Sequence, residues 1–173
     1  MKISAIILSA GNSTRYLSSK PKVFHELSGQ KLIDCNINLL NKYKEIRACH
    51  IITNTALKEN FINLGYKNIS IQSPVNGTGG AIAQFVSKNK INSDYYLICL
   101  GDTPIFNKKT IDTTCREFFN SKSEILDFLR RKRKTHHIFF RTIEMDRFDE
   151  SEFQKPSGYT KDNYHLCLYV CER

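Results

Sequence analysis

The chain has 173 residues, of which 40% are hydrophobic and 25% charged, and it carries a formal net charge of +9. This length fits one domain and excludes a second large one, and the composition excludes disorder of the whole chain. The positive charge indicates an anionic partner, which charge alone leaves open among phosphorylated small molecules, nucleic acids and acidic surfaces.

The cysteines form no C-x-x-C pair, and several lie inside apolar runs, where cysteine behaves as a small hydrophobic residue. They are Cys35, Cys49, Cys99, Cys115, Cys167 and Cys171. This usage predicts free thiols in a reducing compartment, and therefore a cytoplasmic protein. No segment approaches the run of about 18 apolar residues that a membrane-spanning helix needs, so no membrane partner is expected.

The first two-thirds of the chain alternates strand-like and helix-like segments, which predicts an α/β fold with a mainly parallel sheet. Apolar runs predict strands near 3–9, 47–53, 68–72 and 95–101. Helical spacing of apolar residues predicts helices over 31–43, 55–64, 79–90 and 107–120. Ligands of open α/β sheets bind at the carboxyl ends of strands, so the loops after Leu8, Gln72 and Leu100 should converge.

The first of these loops is typical of a polyphosphate cradle. The apolar strand is followed by three small residues, Ser9, Ala10 and Gly11. Because their side chains are small or absent, backbone N–H groups can approach an anion. Arg15 and Lys22 then supply positive charge. The spacing matches neither the Walker P-loop nor the G-x-G-x-x-G dinucleotide fingerprint. A basic loop without a ligand remains the alternative.

The second loop, 72–81, combines an amide side chain with three glycines before a predicted helix. Gln72 offers a donor and an acceptor that can read the edge of a base. The Gly77-Thr78-Gly79 element permits close approach of the backbone to a flat or anionic ligand. The same pattern also suits a flexible turn ahead of a helix.

The third loop begins with Gly101-Asp102, directly after a nearly continuous apolar strand. A carboxylate at a strand end suits Mg²⁺, which usually takes one or two protein carboxylates and completes its shell with phosphates and water. The alternative is an aspartate that caps the following turn or helix.

Residues 121–173 lack a clean period, and we interpret their basic run as a solvated segment. The basic run 130–134 is not accompanied by an aromatic platform on which bases could stack or by a known nucleic-acid-binding motif. Nucleic acid is therefore not expected as a partner. His136, His137, Cys167 and Cys171 lack the spacing of zinc ligands. In the first half of the chain, His25 and His50 are expected to be structural histidines with satisfied hydrogen bonds.

Together the three loops resemble the nucleotidyltransferases that activate sugar phosphates and related alcohols, the sugar-phosphate pyrophosphorylase family. The resemblance covers roughly residues 3–120 and is greatest to the uridylyltransferase domain of the bacterial bifunctional N-acetylglucosamine-1-phosphate uridylyltransferase/glucosamine-1-phosphate acetyltransferase. The matching motifs are Leu8-Ser9-Ala10-Gly11, Thr14-Arg15, Pro21-Lys22, Gln72, Gly77-Thr78-Gly79 and Gly101-Asp102.

The resemblance implies a three-layer Rossmann-like nucleotidyltransferase fold with a mostly parallel central sheet. It implies Mg²⁺-dependent transfer of UMP from UTP to N-acetylglucosamine-1-phosphate, with release of pyrophosphate. The product, UDP-N-acetylglucosamine, is a peptidoglycan precursor for cell wall biogenesis. The implied catalytic residues are Arg15, Lys22 and Asp102, and Asp102 is also the implied metal ligand. The implied nucleotide-binding residues are Leu8, Ser9, Ala10, Gly11, Lys22, Gln72, Gly77, Thr78 and Gly101.

Several positions depart from the family pattern. Gly158-Tyr159 is followed by Thr160-Lys161 where the family has a G-Y-G-R sugar-binding turn, and Gly80 replaces a frequent histidine. We therefore expect a nucleotide-binding core over 1–120 and a divergent or truncated C-terminal segment of the same domain over 121–173, so that the fold is incomplete at the C-terminus.

Two alternative functions stay open. One is a cytidylyltransferase acting on another phosphorylated sugar or alcohol. The other is a catalytically impaired remnant that binds the nucleotide but cannot place the acceptor. The sequence leaves the oligomeric state undetermined.

Overall fold

The structure, a computed structural model, describes residues 2–11, 18–105, 107–121, 125–131, 136–141 and 164–172. Its strands are β1 (Ile3–Ser9), β2 (Glu26–Leu27), β3 (Gln30–Lys31), β4 (Ile46–Thr53), β5 (Ile69–Ile71), β6 (Tyr95–Leu100), β7 (Ile125–Arg131), β8 (His136–Arg141) and β9 (Tyr164–Glu172). Its α-helices are α1 (Leu32–Leu40), α2 (Lys58–Asn63), α3 (Gly77–Lys88) and α4 (Lys108–Ser121), and Lys22–Phe24 forms a 3-10 turn.

The four strands predicted from the sequence form the parallel part of a seven-stranded sheet, in the order β5-β4-β1-β6. All residues of β1 are buried because it lies between two parallel neighbours and beneath helices on both faces. The four carboxyl ends therefore lie at one edge of the sheet. This arrangement confirms the predicted α/β fold and the predicted position of the loops.

The remaining strands extend the sheet in antiparallel fashion. Strand β9 lies between β6 and β7, and Val170 pairs with Leu97 on one side and Leu126 on the other. Strand β8 pairs with β7 at the far edge. These strands come from the segment after residue 120, which the sequence analysis left unassigned. The boundary at residue 120 stays a prediction, although the strands after it share the sheet of the core.

Helices cover both faces of the sheet, as a three-layer fold requires. On one face, Ala5 and Ile7 of β1 pack with buried residues of α1, α2 and α4. On the other face, Ile6 and Leu8 pack with buried residues of α3. The alternation follows from the two-residue period of a strand. Within the described residues, no helix combines the length and the apolar character needed to cross a membrane.

Two helices differ from their predicted bounds in a way that affects the site. Helix α1 ends at Leu40 instead of residue 43, because the N–H groups of Lys42 and Tyr43 bond the carbonyl groups three residues earlier. Helix α3 begins at Gly77, two residues before the predicted start. The Gly77-Thr78-Gly79 element therefore forms the first turn of a helix and is not a loop ahead of it.

Candidate functional site

The loop after β1 is held by polar side chains at the end of the neighbouring strand β4. Thr53 Oγ1 donates to the carbonyl of Ser9 at 3.3 Å, and Asn54 Nδ2 donates to the carbonyl of Ala10 at 2.9 Å. Both side chains are buried. Gly11 follows and is exposed, and no described atom would lie within 4 Å of a Cβ placed on it. The loop thus starts from a fixed backbone, which suits a cradle whose N–H groups must stay aimed at an anion.

Gly101, directly after β6, lies against the same loop. Its N–H donates to the carbonyl of Leu8 at 2.8 Å. A Cβ at Gly101 would collide with Ser9 Oγ and would lie 3.3 Å from the Leu8 carbonyl oxygen. Ser9 Oγ is itself buried, and no described residue forms a hydrogen bond with it. The ends of β1 and β6 can approach this closely only because residue 101 has no side chain.

The predicted phosphate-binding lysine and the predicted metal ligand form an ion pair. Lys22 Nζ lies 2.8 Å from Asp102 Oδ2, although the two residues are 80 positions apart. Their side chains are 39% and 34% exposed, so the pair faces solvent and contributes little to stability. Val23 and Phe24, which follow Lys22, are buried in the same cluster as α1 residues and anchor the lysine.

The Asp102 carboxylate fits the ligand chemistry of Mg²⁺. Its Oδ2 already accepts a hydrogen bond from the Lys22 ammonium group, and the partly exposed side chain can contact a hydrated ion. Among the residues that the structure describes, no group of three His, Cys, Asp or Glu side chains could hold a metal alone. A magnesium ion at Asp102 would therefore draw its other ligands from phosphate oxygens and water, as Mg²⁺ commonly does.

Gln72 is buried, and its amide group is committed to the loop that follows it. Nε2 donates to Asn76 Oδ1 and to the carbonyl of Gly77, each at 2.9 Å. The backbone N–H of Gln72 donates to the carbonyl of Thr53 at 2.8 Å, which ties this loop to the end of β4. Both amide hydrogens are thus used within the protein, and Oε1 is the remaining polar atom of the side chain.

Gln84 of α3 holds the same loop from its other side. Its Oε1 accepts the N–H of Ser73 at 2.9 Å, and its Nε2 donates to the carbonyl of Pro74 at 3.0 Å. A Cβ at Gly80 would overlap the side chain of Asn76, which also accepts from Gln72. Glycine at position 80, a departure from the family pattern, therefore makes room for the polar interior of this loop.

The structure brings most of the predicted site residues to one edge of the sheet. The loops after Leu8 and Leu100 touch directly, and the loop after Gln72 joins them through Thr53. Arg15 lies outside the described residues, as do Thr160 and Lys161 of the altered sugar turn, and their roles stay predictions. The roles of the other predicted residues also stay predictions, because position alone does not assign them.

Sequence reasoning missed the polar residues that support these loops, namely Asn36, Thr53, Asn54 and Gln84. The sequence contained a signal for two of them. Thr53 and Asn54 lie at the carboxyl end of a predicted parallel strand, as Asp102 does, and ligands of such sheets bind at these ends. Asn36 and Gln84 lie within predicted helices, where a polar residue gives no sign of what it contacts.

The prediction for His50 is wrong, and the one for His25 is confirmed. His25 Nε2 lies 3.2 Å from Ser18 Oγ and 3.0 Å from the Lys20 carbonyl. His50 Nε2 is buried with no hydrogen-bond partner among the described residues, and its ring lies 5.3 Å from that of Phe85. Burial lowers the pKa of His50 below its usual 6.5, so the ring is neutral at pH 7.

Comparison with known proteins identifies a family whose sequence profile matches this chain and several proteins with similar sequences. The profile of the MobA-like NTP transferase domain matches residues 5–155. The chain is 36% identical over 110 residues to the bifunctional protein GlmU of Wigglesworthia glossinidia brevipalpis, covering 61% of this chain and 24% of the relative. The chain spans about a quarter of the length of the curated relatives that it matches.

Solved structures share the fold at low identity. A protein named as a glucose-1-phosphate thymidylyltransferase of Bacillus anthracis matches with a TM-score of 0.67 and 18% identity, over 98% of this chain and 71% of that one. The 4-diphosphocytidyl-2C-methyl-D-erythritol synthase of Anaerococcus prevotii matches with a TM-score of 0.59 and 15% identity, over 99% and 70%. At these identities the likeness shows the fold and leaves the substrate undecided.

Proposed function

Because the chain belongs to the family of MobA-like NTP transferase domains, we propose that it transfers a nucleotidyl group from a nucleoside triphosphate to a phosphorylated sugar. The favoured pair is UTP and N-acetylglucosamine-1-phosphate, with Mg²⁺ as the cofactor. The motif resemblance to uridylyltransferase domains supports this pair, and so do the curated relatives named GlmU. The nucleotide core would occupy residues 1–120.

The contact between Lys22 and Asp102 is the observation that carries the proposal. A cation and a carboxylate from distant parts of the chain meet 2.8 Å apart at the edge where the small-residue loop begins. Phosphoryl and nucleotidyl transfers depend on positioning and on neutralisation of phosphate charge rather than on a covalent intermediate. A lysine for the phosphates beside a carboxylate for a divalent cation supplies both requirements.

In this proposal each residue has a distinct role. Backbone N–H groups of the loop from Ser9 to Gly11 would bind the phosphates, and Lys22 would turn from Asp102 toward them. Asp102 would hold Mg²⁺, which when bound neutralises charge on the phosphates. A phosphate oxygen of the acceptor then attacks the α-phosphorus in line, the bond to the bridging oxygen breaks, and pyrophosphate leaves. Arg15 is proposed to neutralise the triphosphate as well.

The base would lie over the first turn of α3, near Gln72, Gly77 and Thr78. Gly77 is exposed and Thr78 half-buried, so backbone groups of this turn are open to a ligand. Gln72 Oε1 is an acceptor and suits the N3–H of uracil, but it suits the amino group of cytosine equally. The preference for uracil therefore depends on the resemblance and the relatives, and CTP is the natural competitor in a test.

Three of the cysteines support a reducing compartment, which we propose to be the cytoplasm. Cys35, Cys49 and Cys115 form no disulfide in the structure. Burial raises the pKa of Cys49 and of Cys115 to about 11, which keeps both protonated and unreactive at neutral pH.

Pyrophosphate release tests the proposed activity. The protein is incubated with Mg²⁺, N-acetylglucosamine-1-phosphate and either UTP, CTP or dTTP, and release is expected with UTP. Asp102→Asn should slow the reaction at least about 100-fold, since several kcal/mol of charge stabilisation are lost. Asp94→Asn is the matched control, because Asp94 lies next to the other end of β6 and its side chain, in the hydrogen bonds described, accepts only from the N–H of Lys2.

Each other outcome identifies an alternative. Release with CTP alone would make the protein a cytidylyltransferase. Binding of UTP without release, measured by calorimetry, would make it a nucleotide-binding remnant. Equal rates for Asp102→Asn and the wild type would remove Asp102 from the proposed mechanism.

A further inference from the structure

Asn36 is a fully buried amide in a helix that otherwise packs through apolar residues. Its exposure is 0%, and Ile33 and Leu40 on the same helix are equally buried. A buried amide is costly unless its donors and acceptor are all bonded. The hydrogen-bond partners of Asn36 therefore indicate the structural role of the residue.

All the partners belong to the loop that carries Asp102. Asn36 Nδ2 donates to the carbonyl of Leu100 at 2.9 Å and to that of Thr103 at 3.3 Å. Asn36 Oδ1 accepts the N–H of Ile105 at 2.6 Å. One bond thus comes before Asp102 in the chain and two come after it, so the single side chain spans the loop.

Besides the bonds of Asn36, the described polar contacts at the start of the loop are the bond from the Gly101 N–H to the Leu8 carbonyl and the bonds that Asp102 accepts from Lys22 and from the Thr103 hydroxyl. Its own turn bond, from the N–H of Thr103 to the carbonyl of Leu100, is long at 3.4 Å. Pro104 has no N–H to offer. Without Asn36, backbone groups of Leu100, Thr103 and Ile105 would lose the partner that the structure gives them. The direction in which Asp102 leaves β6 therefore depends on a residue that the chain supplies from α1.

We propose that Asn36 is the positioning residue of the metal site: it holds the loop 100–105 so that the Asp102 carboxylate faces Lys22 and the divalent cation. The inference rests on the proposed function for the metal and the nucleotide. Asn36 is buried beneath the loop and would not touch the substrate. Its effect is transmitted through the backbone, as with the supporting residues of other metal sites, whose loss typically costs about 10–100-fold in metal affinity or activity.

The test compares variants by their affinity for Mn²⁺ in the presence of UTP, measured by electron paramagnetic resonance. Asn36→Leu keeps the size of the side chain and removes all three bonds. Asn36→Asp keeps the acceptor for Ile105 and loses the donor to Leu100 and Thr103. We expect a rise of about 10–100-fold in the Mn²⁺ dissociation constant for Asn36→Leu and a smaller rise for Asn36→Asp.

Two controls on the same helix separate positioning from stability. Asn38→Leu changes an exposed asparagine and should leave Mn²⁺ affinity unchanged. Leu40→Ala opens the core and leaves the three bonds of Asn36 to the loop in place, so it should lower the melting temperature but not the affinity of the folded protein for Mn²⁺. Hydrogen exchange at the Ile105 amide adds a second measurement, and it should quicken in Asn36→Leu more than in Leu40→Ala.

The outcomes are distinct. Mn²⁺ affinity within about twofold of the wild type in both Asn36 variants, with a lower melting temperature, would show a purely structural residue and overturn the inference. If Asn36→Leu does not fold, Asn36→Asp decides by the same criterion. A wild type that binds no Mn²⁺ also overturns it. A wild type that binds Mn²⁺ but releases no pyrophosphate defeats the proposed activity alone, and the Mn²⁺ and exchange results still decide the role of Asn36.

Discussion

At the scale of single residues, the candidate site depends on a glycine, which has no side chain, as much as on two charged residues. Gly101 lets β6 end against the loop after β1, because a side chain there would displace Ser9 Oγ. Lys22 and Asp102 lie 2.8 Å apart, and each is partly exposed to solvent. In the proposed function two charged side chains carry the chemistry, and a glycine beside them allows the close approach of the two strand ends.

Gly101→Ala tests this close contact. We expect a loss of about 1–3 kcal/mol in the free energy of unfolding, the usual cost of overpacking. Ser9→Ala removes the hydroxyl that the new methyl group would meet, so the double variant should lose less than the sum of the two single variants. Urea denaturation of all four proteins measures the difference.

Gly11→Ala is the control for Gly101→Ala, because a methyl group at Gly11 would meet none of the described atoms within 4 Å. Strictly additive losses in the Ser9 and Gly101 variants would contradict the contact, as would a loss for Gly11→Ala as large as that for Gly101→Ala.

At the scale of elements, α1 and α3 divide the support of the site between them. Helix α1 packs against the 3-10 turn that carries Lys22, and its Asn36 bonds the loop that carries Asp102. Helix α3 supports the other loop, through Gln84 and through its first turn at Gly77. The phosphate side and the base side of the proposed site therefore rest on opposite faces of the sheet.

Gln84→Leu tests the part played by α3. It removes the bonds to Ser73, Pro74 and Asn76. At about 0.5–1.5 kcal/mol for each neutral hydrogen bond, the bound conformation of the loop loses about 1.5–4.5 kcal/mol of stabilisation. We expect UTP to bind about tenfold more weakly by calorimetry, with the affinity for the sugar phosphate changed far less. Ser87→Ala, an exposed site one turn along the helix, is the control. Unchanged UTP affinity in Gln84→Leu would separate this loop from the base.

At the scale of the whole molecule, the sheet is completed by a strand from the far end of the described chain. Strand β9 pairs with β6 over Tyr95–Cys99 and with β7 on its other side. Strand β6 carries Asp102 directly after its end, so the position of the carboxylate depends on pairing with residues about 70 positions later in the chain. The segment after residue 120 is thus part of the framework of the site.

Val170→Pro tests this dependence. Proline removes a ladder N–H from a strand that is paired on both sides, and the partner carbonyl is left unbonded. We expect the free energy of unfolding to fall by at least about 3 kcal/mol, measured by urea denaturation.

Ile71→Pro is the matched control in β5, the terminal strand of the described sheet. The bonds of Asn68 and Gln72 to β4 direct the N–H of Ile71 outward, so this proline should cost much less. Equal losses at the two positions would contradict the central place of β9.

The sequence by itself determined the four parallel strands, the helices between them and the edge of the sheet at which the candidate loops meet. These features follow from local patterns, because buried parallel strands appear as apolar runs and loops with small residues follow them. Only the tertiary structure decided that Lys22 meets Asp102, that Asn36 spans the Asp102 loop, and that β9 enters the middle of the sheet. Such contacts join residues distant in the chain, and a polar residue within a helix or a strand without a clear period does not reveal its partner. The local pattern therefore predicted where the site lies, and long-range pairing decided how its groups are held.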